Sequence, residues 1–380
     1  MSRTAFTPAV PNTADEDVWR GAPDIPLEHP VRVRAACAKF YKPKRGQIMT
    51  IRVGVIGAGI MGADHIRNLS TTIGGAEVTY VADLDVDRAA AAAPPSARIT
   101  TDPSELINSS EVDAVVVASH DSTHSGLVLE CFEAMTPVLC EKPLAPTLME
   151  SLEVVAADAD IVAATGVSLL SLGFMRRFDP GYVALRNAVQ SKAQGDPLMV
   201  HCISRNASSA PGATSESAIT NSAIHELDII PWLLDSPITE VSWQAGRSTP
   251  RAGTALQDPS FMTMRTADGT LTTLELFLNA QYGYATRCEV VSELGTAALQ
   301  DSSLLDVEQQ GIRQSSIPAD WRPRFADAYR LQLQAWISAL AMGETPSLAG
   351  AQDGLHAALV AQAMIQSLHS SGAYTKVSYS

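Results

Sequence analysis

A glycine loop, Gly57-Ala58-Gly59-Ile60-Met61-Gly62, is followed some eighty residues later by Glu141-Lys142-Pro143-Leu144. The loop has the spacing of a site for a phosphate-bearing ligand: glycines let the backbone close in, and the helix that follows turns free amides and its dipole toward the anion. Lys142 adds the means to do chemistry beside that ligand. It precedes a proline of fixed φ and follows the apolar stretch Val138-Leu139-Cys140. It therefore reads as a cation held at the carboxyl end of a parallel strand, the edge where an open α/β sheet binds its ligands. Glu-Lys-Pro alone is a weak signal, but behind this loop it is strong.

The loop also sits in the right local context. Ile51 to Ile56 is a short β-branched run, as suits a buried parallel strand. A second run, Val78 to Ala82, ends at Asp83, about twenty residues beyond the last glycine, where a carboxylate accepts both ribose hydroxyls of NAD and repels a 2′-phosphate. The next residue is Leu84, with no arginine or lysine there to welcome NADP. The expected cofactor is NAD, held by Gly57, Gly59, Ile60, Met61, Gly62 and Asp83.

The elements that position these residues alternate. After Asp83 the pattern predicts a helix near 86–93, a short strand at Arg98-Ile99, a helix over Pro103 to Asn108 and a strand over Asp113 to Ala118. Gly126 to Met135 reads as a helix, Pro137 to Cys140 as the strand leading to Lys142, Thr147 to Ala159 as a helix, and Ile161 to Val167 as a last strand. Such alternation makes a doubly wound Rossmann sheet over 49–172. Ser119, His120, His124 and Glu141 fall at its ligand edge and are counted with the cofactor residues, although capping or packing is the stronger reading of each histidine. Beyond residue 173 alternating runs appear at Leu198 to Ile203, Ile238 to Gln244, Ser260 to Arg265, Leu271 to Leu278 and Arg287 to Ser292, joined by polar turns. They predict a large, mostly antiparallel sheet, flanked by helices at Tyr182 to Val189, Ile224 to Leu234, Phe325 to Met342 and Gly354 to His369. That second domain, 173–380, would bind substrate and form the oligomer.

Composition narrows the function classes. A chain of 380 residues has room for two domains. The net charge of −14, with no basic stripe, argues against a nucleic-acid partner. No apolar run is long enough to span a membrane. The cysteines (Cys37, Cys131, Cys140, Cys202, Cys288) make no metal or redox spacing, so no metal is expected and a reducing cytosol fits. Residues 1–48 differ from the rest: they are basic, rich in proline and poor in apolar periodicity, as for a disordered or draped arm, and they lack the apolar core of a signal peptide. Met49, directly before the first strand, is an alternative start.

The loop at Gly57 to Gly62, Glu141-Lys142-Pro143 and His225-Glu226-Leu227-Asp228 together resemble the glucose–fructose oxidoreductase/inositol dehydrogenase/rhizopine catabolism (Gfo/Idh/MocA) family, over nearly everything from Met49 onward. Phe174 to Asp179, Cys202 to Asn206 and Tyr282-Gly283-Tyr284 are most similar to its inositol 2-dehydrogenases, which oxidise a ring carbinol of myo-inositol with NAD. The resemblance implies Lys142 and His225 at the reacting hydroxyl, with Met175, Arg176, Asn206, Tyr284 and Tyr329 around the substrate. It also implies a homodimer or homotetramer.

The residue types suit that chemistry independently. Hydride leaves a carbinol carbon only as its hydroxyl loses a proton, so the site needs a base and a holder for the developing alkoxide. Histidine fits the first role near neutral pH and a lysine ammonium the second. Arg176 offers a fork of donors for neighbouring hydroxyls. Arg177 and Asp228, each taken alone, read as members of structural ion pairs. Three positions depart from the inositol dehydrogenases: Asn221 stands where they carry aspartate one turn before the histidine, Ser204 where they carry histidine, and Ala285 where they carry aspartate. At i, i+4 Asn221 can still face His225, but it cannot stabilise an imidazolium by charge; a plain helix cap is the alternative. The expectation is an NAD-dependent dehydrogenase of a cyclic polyol or sugar, with another inositol isomer, an inositol derivative or a pyranose as alternatives to myo-inositol. A non-catalytic NAD- or sugar-sensing regulator on the same fold is the alternative of a different class.

Overall fold

The computed structural model describes residues 50–300 and 306–379. The arm over 1–48, Met49 and Cys37 lie outside the described residues. The first sheet is built from β1 (Ile51–Ile56), β2 (Ala76–Ala82), β3 (Arg98–Thr100), β4 (Ala114–Val117), β5 (Val138–Cys140) and β6 (Leu170–Leu172), all parallel, in the order β3-β2-β1-β4-β5-β6. This is the doubly wound order whose ligand crevice opens at the carboxyl ends of the neighbouring strands β1 and β4, where the order reverses. β4 is Ala-Val-Val-Val and wholly buried, because helices cover both faces of a parallel sheet. Those helices are α1 (Ile60–Thr71), α2 (Val86–Ala92), α3 (Pro103–Ile107), α4 (His124–Glu133) and α5 (Leu148–Thr165).

One expected strand is corrected. Ile161 and Val162 lie in α5, which runs to Thr165, and the last strand comes later, at Leu170–Leu172. A capping box between Thr147 and Glu150 starts the helix, and Gly166 in the left-handed region ends it. Ser151, Val154, Ala157, Asp158 and Ile161 share its buried face. Helical periodicity outweighs the β-branched preference of two residues.

After α6 (Pro180–Gln190) comes β7 (Pro197–Arg205). The short α7 (Ser215–Ser217) leads through a π-helical turn, Ala218–Ala223, into α8 (Ile224–Leu234). β8 (Ile238–Ala245), β9 (Ser260–Thr266), β10 (Leu271–Phe277), β11 (Ala285–Ser292) and β12 (Gly295–Ala298) follow, then a hairpin of β13 (Asp306–Gln309) and β14 (Ile312–Ser315). The chain closes with α9 (Trp321–Met342), α10 (Ala351–His369) and β15 (Thr375–Lys376). The second sheet has the order β12-β11-β7-β10-β9-β8-β15 and is antiparallel except where β10 runs parallel to β7. Val200, Cys202, Met262, Met264, Leu274, Leu276, Cys288 and Val290 point to the core, and the opposite face carries Ile203, Phe261, Phe277 and Val291.

Helix α9 does not stay with the second sheet. Its Leu333, Trp336 and Ile337 are buried with Val53, Val55, Ile66 and Leu69 of the first sheet and α1. Gln334 fastens this contact through bonds with the main chain of Gly74, at 2.9 and 3.1 Å. The chain thus crosses back over the Rossmann unit, and that return places Tyr329, on α9, above the first sheet's ligand edge.

Candidate active site

The cofactor side is set by backbone approach. Gly57 has φ +90°, and a Cβ there would lie 2.6–2.7 Å from the main chain of Ala118 and Ser119; at Gly62 it would lie 1.7 Å from the Gly57 carbonyl. Gly59 has nothing within 4 Å of where a Cβ would be, and as N-cap of α1 it leaves the helix amides without a side-chain partner. An open, amide-lined space at the start of a twelve-residue helix fits a pyrophosphate. Asp83 ends β2 with its carboxylate accepting from the amides of Ala58 (2.6 Å) and Asp85 (2.9 Å).

An arginine does reach this carboxylate, although none stands at position 84. Leu84 points out, 88% exposed, and Arg88, one turn into α2, forks onto Asp83 at 3.1 and 2.6 Å. Helical winding, not adjacency in sequence, supplies the cation. Burial raises the Asp83 carboxyl, but the bonds from Arg88, Ala58 and Asp85 outweigh it and hold the group below its ordinary value.

Lys142 follows β5 as expected, and its surroundings explain how it is held. Glu141 behind it is buried and bonded to His65 of α1 at 2.8 Å. Burial would raise Glu141, yet the His65 bond and the nearby positive groups leave it below the usual carboxylate range. His124 is buried with one ring nitrogen 2.7 Å from the Pro143 carbonyl and the other 3.2 Å from that of Ser119, so it ties the lysine loop to the end of β4. His120 is exposed and caps the turn Asp121–Thr123; Ser119 shares a hydroxyl contact of 2.7 Å with Thr123. The structure thus shows capping at His120 and a loop tie at His124.

Lys142, Glu141 and Met61 from the first sheet's edge meet Met175, Arg176, Ser204, Asn206, Asn221, Ser222, His225, Tyr284, Trp321 and Tyr329 around one pocket of about 190 Å³. Every residue expected near the substrate is therefore in a single place. Ile60, 61% exposed, is outside this lining. The sequence reading missed Trp321 and Ser222. Neither belonged to a motif, and Trp321 reaches the site only because α9 begins there.

Electrostatics divide the labour. Burial lowers the His225 imidazole well below its ordinary value, and the Lys142 and Arg176 charges push it further, so it is held in its neutral form. Burial also lowers the Lys142 ammonium, with Glu141 opposing. The Lys142 Nζ donates to the main-chain carbonyl of Asn221 at 3.0 Å. No hydrogen bond joins the Asn221 side chain to His225 among the described residues, and that side chain is exposed. Buried Arg176 is paired with buried Glu226, the neighbour of His225, which opposes the cost of burying the guanidinium. Arg177 forks onto Asp228 at 3.1 and 2.5 Å and reaches Asp353 at 3.0 Å, a structural cluster in which burial pushes Asp228 up to about 6. Tyr284 accepts from Thr286 at 2.9 Å and stacks edge-on against Phe325; Tyr329 does the same against His65, with ring centres 5.9 Å apart.

Comparison with known proteins gives a consistent picture. A model of the GFO_IDH_MocA oxidoreductase family, NAD-binding Rossmann fold, matches residues 51–162, and one of the GFO/IDH/MocA C-terminal domain matches 182–298. Inositol 2-dehydrogenase 2 of Paenarthrobacter aurescens is 85% identical over 332 residues, 87% of this chain and 100% of that protein. The inositol 2-dehydrogenase/D-chiro-inositol 3-dehydrogenase of Shouchella clausii is 40% identical, covering 85% of this chain and 93% of that one. Among solved structures, the myo-inositol dehydrogenase from Lactobacillus casei in complex with NAD(H) and myo-inositol matches with a TM-score of 0.81 at 32% identity, over 87% of this chain and 97% of that chain. No helix among the described residues is long and apolar enough to cross a membrane.

Proposed function

The chain belongs to the Gfo/Idh/MocA oxidoreductase family, and on that premise we propose that it oxidises a ring secondary alcohol of a cyclic polyol, myo-inositol to 2-keto-myo-inositol in the first instance. It is an NAD-dependent oxidoreductase acting on CH–OH groups. The observation that carries the substrate reading is the meeting of Lys142 and His225, from different domains, in one small pocket lined by hydroxyl, amide and guanidinium groups. Relatives named for inositol oxidation support the choice of ring.

Gly57, Gly59, Gly62 and Asp83 would hold NAD, which would supply the hydride acceptor. The rest is the chain's own work. The neutral His225 imidazole takes the hydroxyl proton as the carbinol carbon is oxidised. The Lys142 ammonium, steadied by the Asn221 carbonyl, holds the developing negative charge on the substrate oxygen. Arg176, fixed by Glu226, and Ser204, Asn206, Tyr284 and Tyr329 hold the other ring hydroxyls. Met175 and Trp321 give the ring an apolar seat. We place the enzyme in the cytosol, supported by its use of NAD and by the four free, buried cysteines among the described residues. A homodimer or homotetramer is supported by the apolar residues on the open face of the second sheet.

The deciding experiment is a panel of inositol isomers and pyranoses, each with NAD, followed by the absorbance of the reduced nicotinamide. Turnover greatest with myo-inositol is expected. A higher kcat/KM for another isomer or a pyranose would move the assignment to it. NAD binding without turnover on any member would leave a sensing protein instead.

A further inference from the structure

The adenosine end of the cofactor site contains a residue that neither the glycine motif nor the substrate pocket explains. The Asp83 side chain is 5% exposed and its two oxygens accept four bonds, from the Ala58 amide (2.6 Å), the Asp85 amide (2.9 Å) and the two arms of Arg88 (3.1 and 2.6 Å). An ionised carboxylate has about four lone-pair sites, so this one is saturated. Ribose hydroxyls can bond to it only if a donor withdraws. Two of the donors belong to main chain in the glycine loop and the start of α2. Arg88 alone is a flexible side chain, 50% exposed, and its other acidic neighbour, Asp85, is 3.9 Å away.

We propose that Arg88 is the group the adenosine ribose displaces, and that it thereby sets how far this enzyme discriminates between NAD and NADP. Once displaced, the guanidinium remains on the first turn of α2, within a side chain's reach of the 2′ position. There it opposes the repulsion that Asp83 exerts on a 2′-phosphate. With the Asp83 charge removed, Arg88 becomes a phosphate partner, because its planar fork suits phosphate oxygens. The inference rests on NAD occupying the loop at Gly57 to Gly62 and is independent of the polyol.

Calorimetric titration tests this without turnover, using NAD, NADP, adenosine monophosphate and its 2′-phosphorylated form. In Arg88→Ala, NAD should tighten by up to about fivefold, since an exposed competing ion pair has gone. NADP and the 2′-phosphorylated fragment should weaken by about tenfold, the value of one charge-assisted contact. Asp83→Ser should tighten NADP, and the double variant Asp83→Ser with Arg88→Ala should lose about tenfold of that gain. Where NADP binding to the parent is too weak to titrate, the Asp83→Ser pair decides; where Asp83→Ser does not fold, Arg88→Ala decides. Equal binding of the 2′-phosphorylated ligands with and without Arg88 would overturn the proposal, as would a loss of NAD affinity in Arg88→Ala. A parent that binds neither cofactor would instead overturn the assignment of the loop.

Discussion

The Lys142 ammonium, carried on the edge of the first sheet, donates a 3.0 Å hydrogen bond to the main-chain carbonyl of Asn221 in the π-helical turn before α8. The contact joins the two halves of the site and aims the cation into the pocket shared with His225. Because the acceptor is main chain, the contact does not depend on which side chain occupies position 221. Truncating Lys142→Ala should leave NAD affinity nearly intact and lower kcat by about a hundredfold or more, because the lost charge acts mainly in the transition state. Unchanged kcat in that variant would reduce the lysine to a strut between domains.

A carboxylate at position 221 should act on His225, the proposed base. His225 is held below its ordinary value by burial and then by Lys142 and Arg176. The acid limb of kcat/KM in the parent should therefore fall below the ordinary imidazole value of about 6.5, since activity is lost only where His225 gains its proton. Asn221→Asp adds a negative charge that favours the imidazolium, so the limb should move to higher pH. Combined with Ser204→His, at another position in the lining of the same pocket, it should also change the ranking of inositol isomers. An unshifted limb and an unchanged ranking would show that residue 221 contributes only its carbonyl.

The Arg176–Glu226 pair is buried on both sides, with side-chain exposures of 2% and 1%. Glu226→Gln leaves the guanidinium charge without its partner in a low-dielectric site, at a cost of about 3–5 kcal/mol. Denaturant unfolding should show that loss. KM for the polyol should rise more than kcat falls if Arg176 holds ring hydroxyls, as proposed. Stability and KM that both match the parent would remove Glu226 from any positioning role.

Gly62→Ala isolates the cofactor cradle. Alanine is the better helix former, so a helix-propensity argument alone predicts stabilisation. The added methyl, however, would stand 1.7 Å from the Gly57 carbonyl and force the loop away from α1. NAD affinity should fall by at least about a hundredfold, read by calorimetry, while far-ultraviolet circular dichroism stays close to the parent's. Parental affinity would mean that the loop relaxes freely and does not shape the site.

Local regularities were legible in the chain itself. The glycine spacing, Asp83 at the next strand end and Lys142 after Val138-Leu139-Cys140 belong to βαβ units, whose geometry is nearly the same wherever they occur. The alternation along β9, β10 and β11 likewise comes from the two-residue repeat of any half-buried strand. Motif resemblance then gathered Met175, Arg176, Ser204, Asn206, Tyr284 and Tyr329 around His225, and the pocket contains them all. The end of α5 was misread because Ile161 and Val162 suit a strand as well as a helix, and only the capping box and a continuous buried face decide between them.

Other features depend on what is near in space. His65 meets Glu141 across 76 residues, and Arg176 meets Glu226 across 50, so no window of sequence contains both partners. Even Arg88, five residues from Asp83, was hidden by reading the neighbour in sequence rather than the turn of helix that follows. Amphipathic spacing marks the apolar stripe of α9 but not what it covers. The face of the first sheet at Val53 and Val55, which α9 covers, claims Trp336 and Ile337. Burial has no direction along the chain: an apolar face goes wherever the remaining uncovered surface lies, and that is a property of the assembled molecule alone.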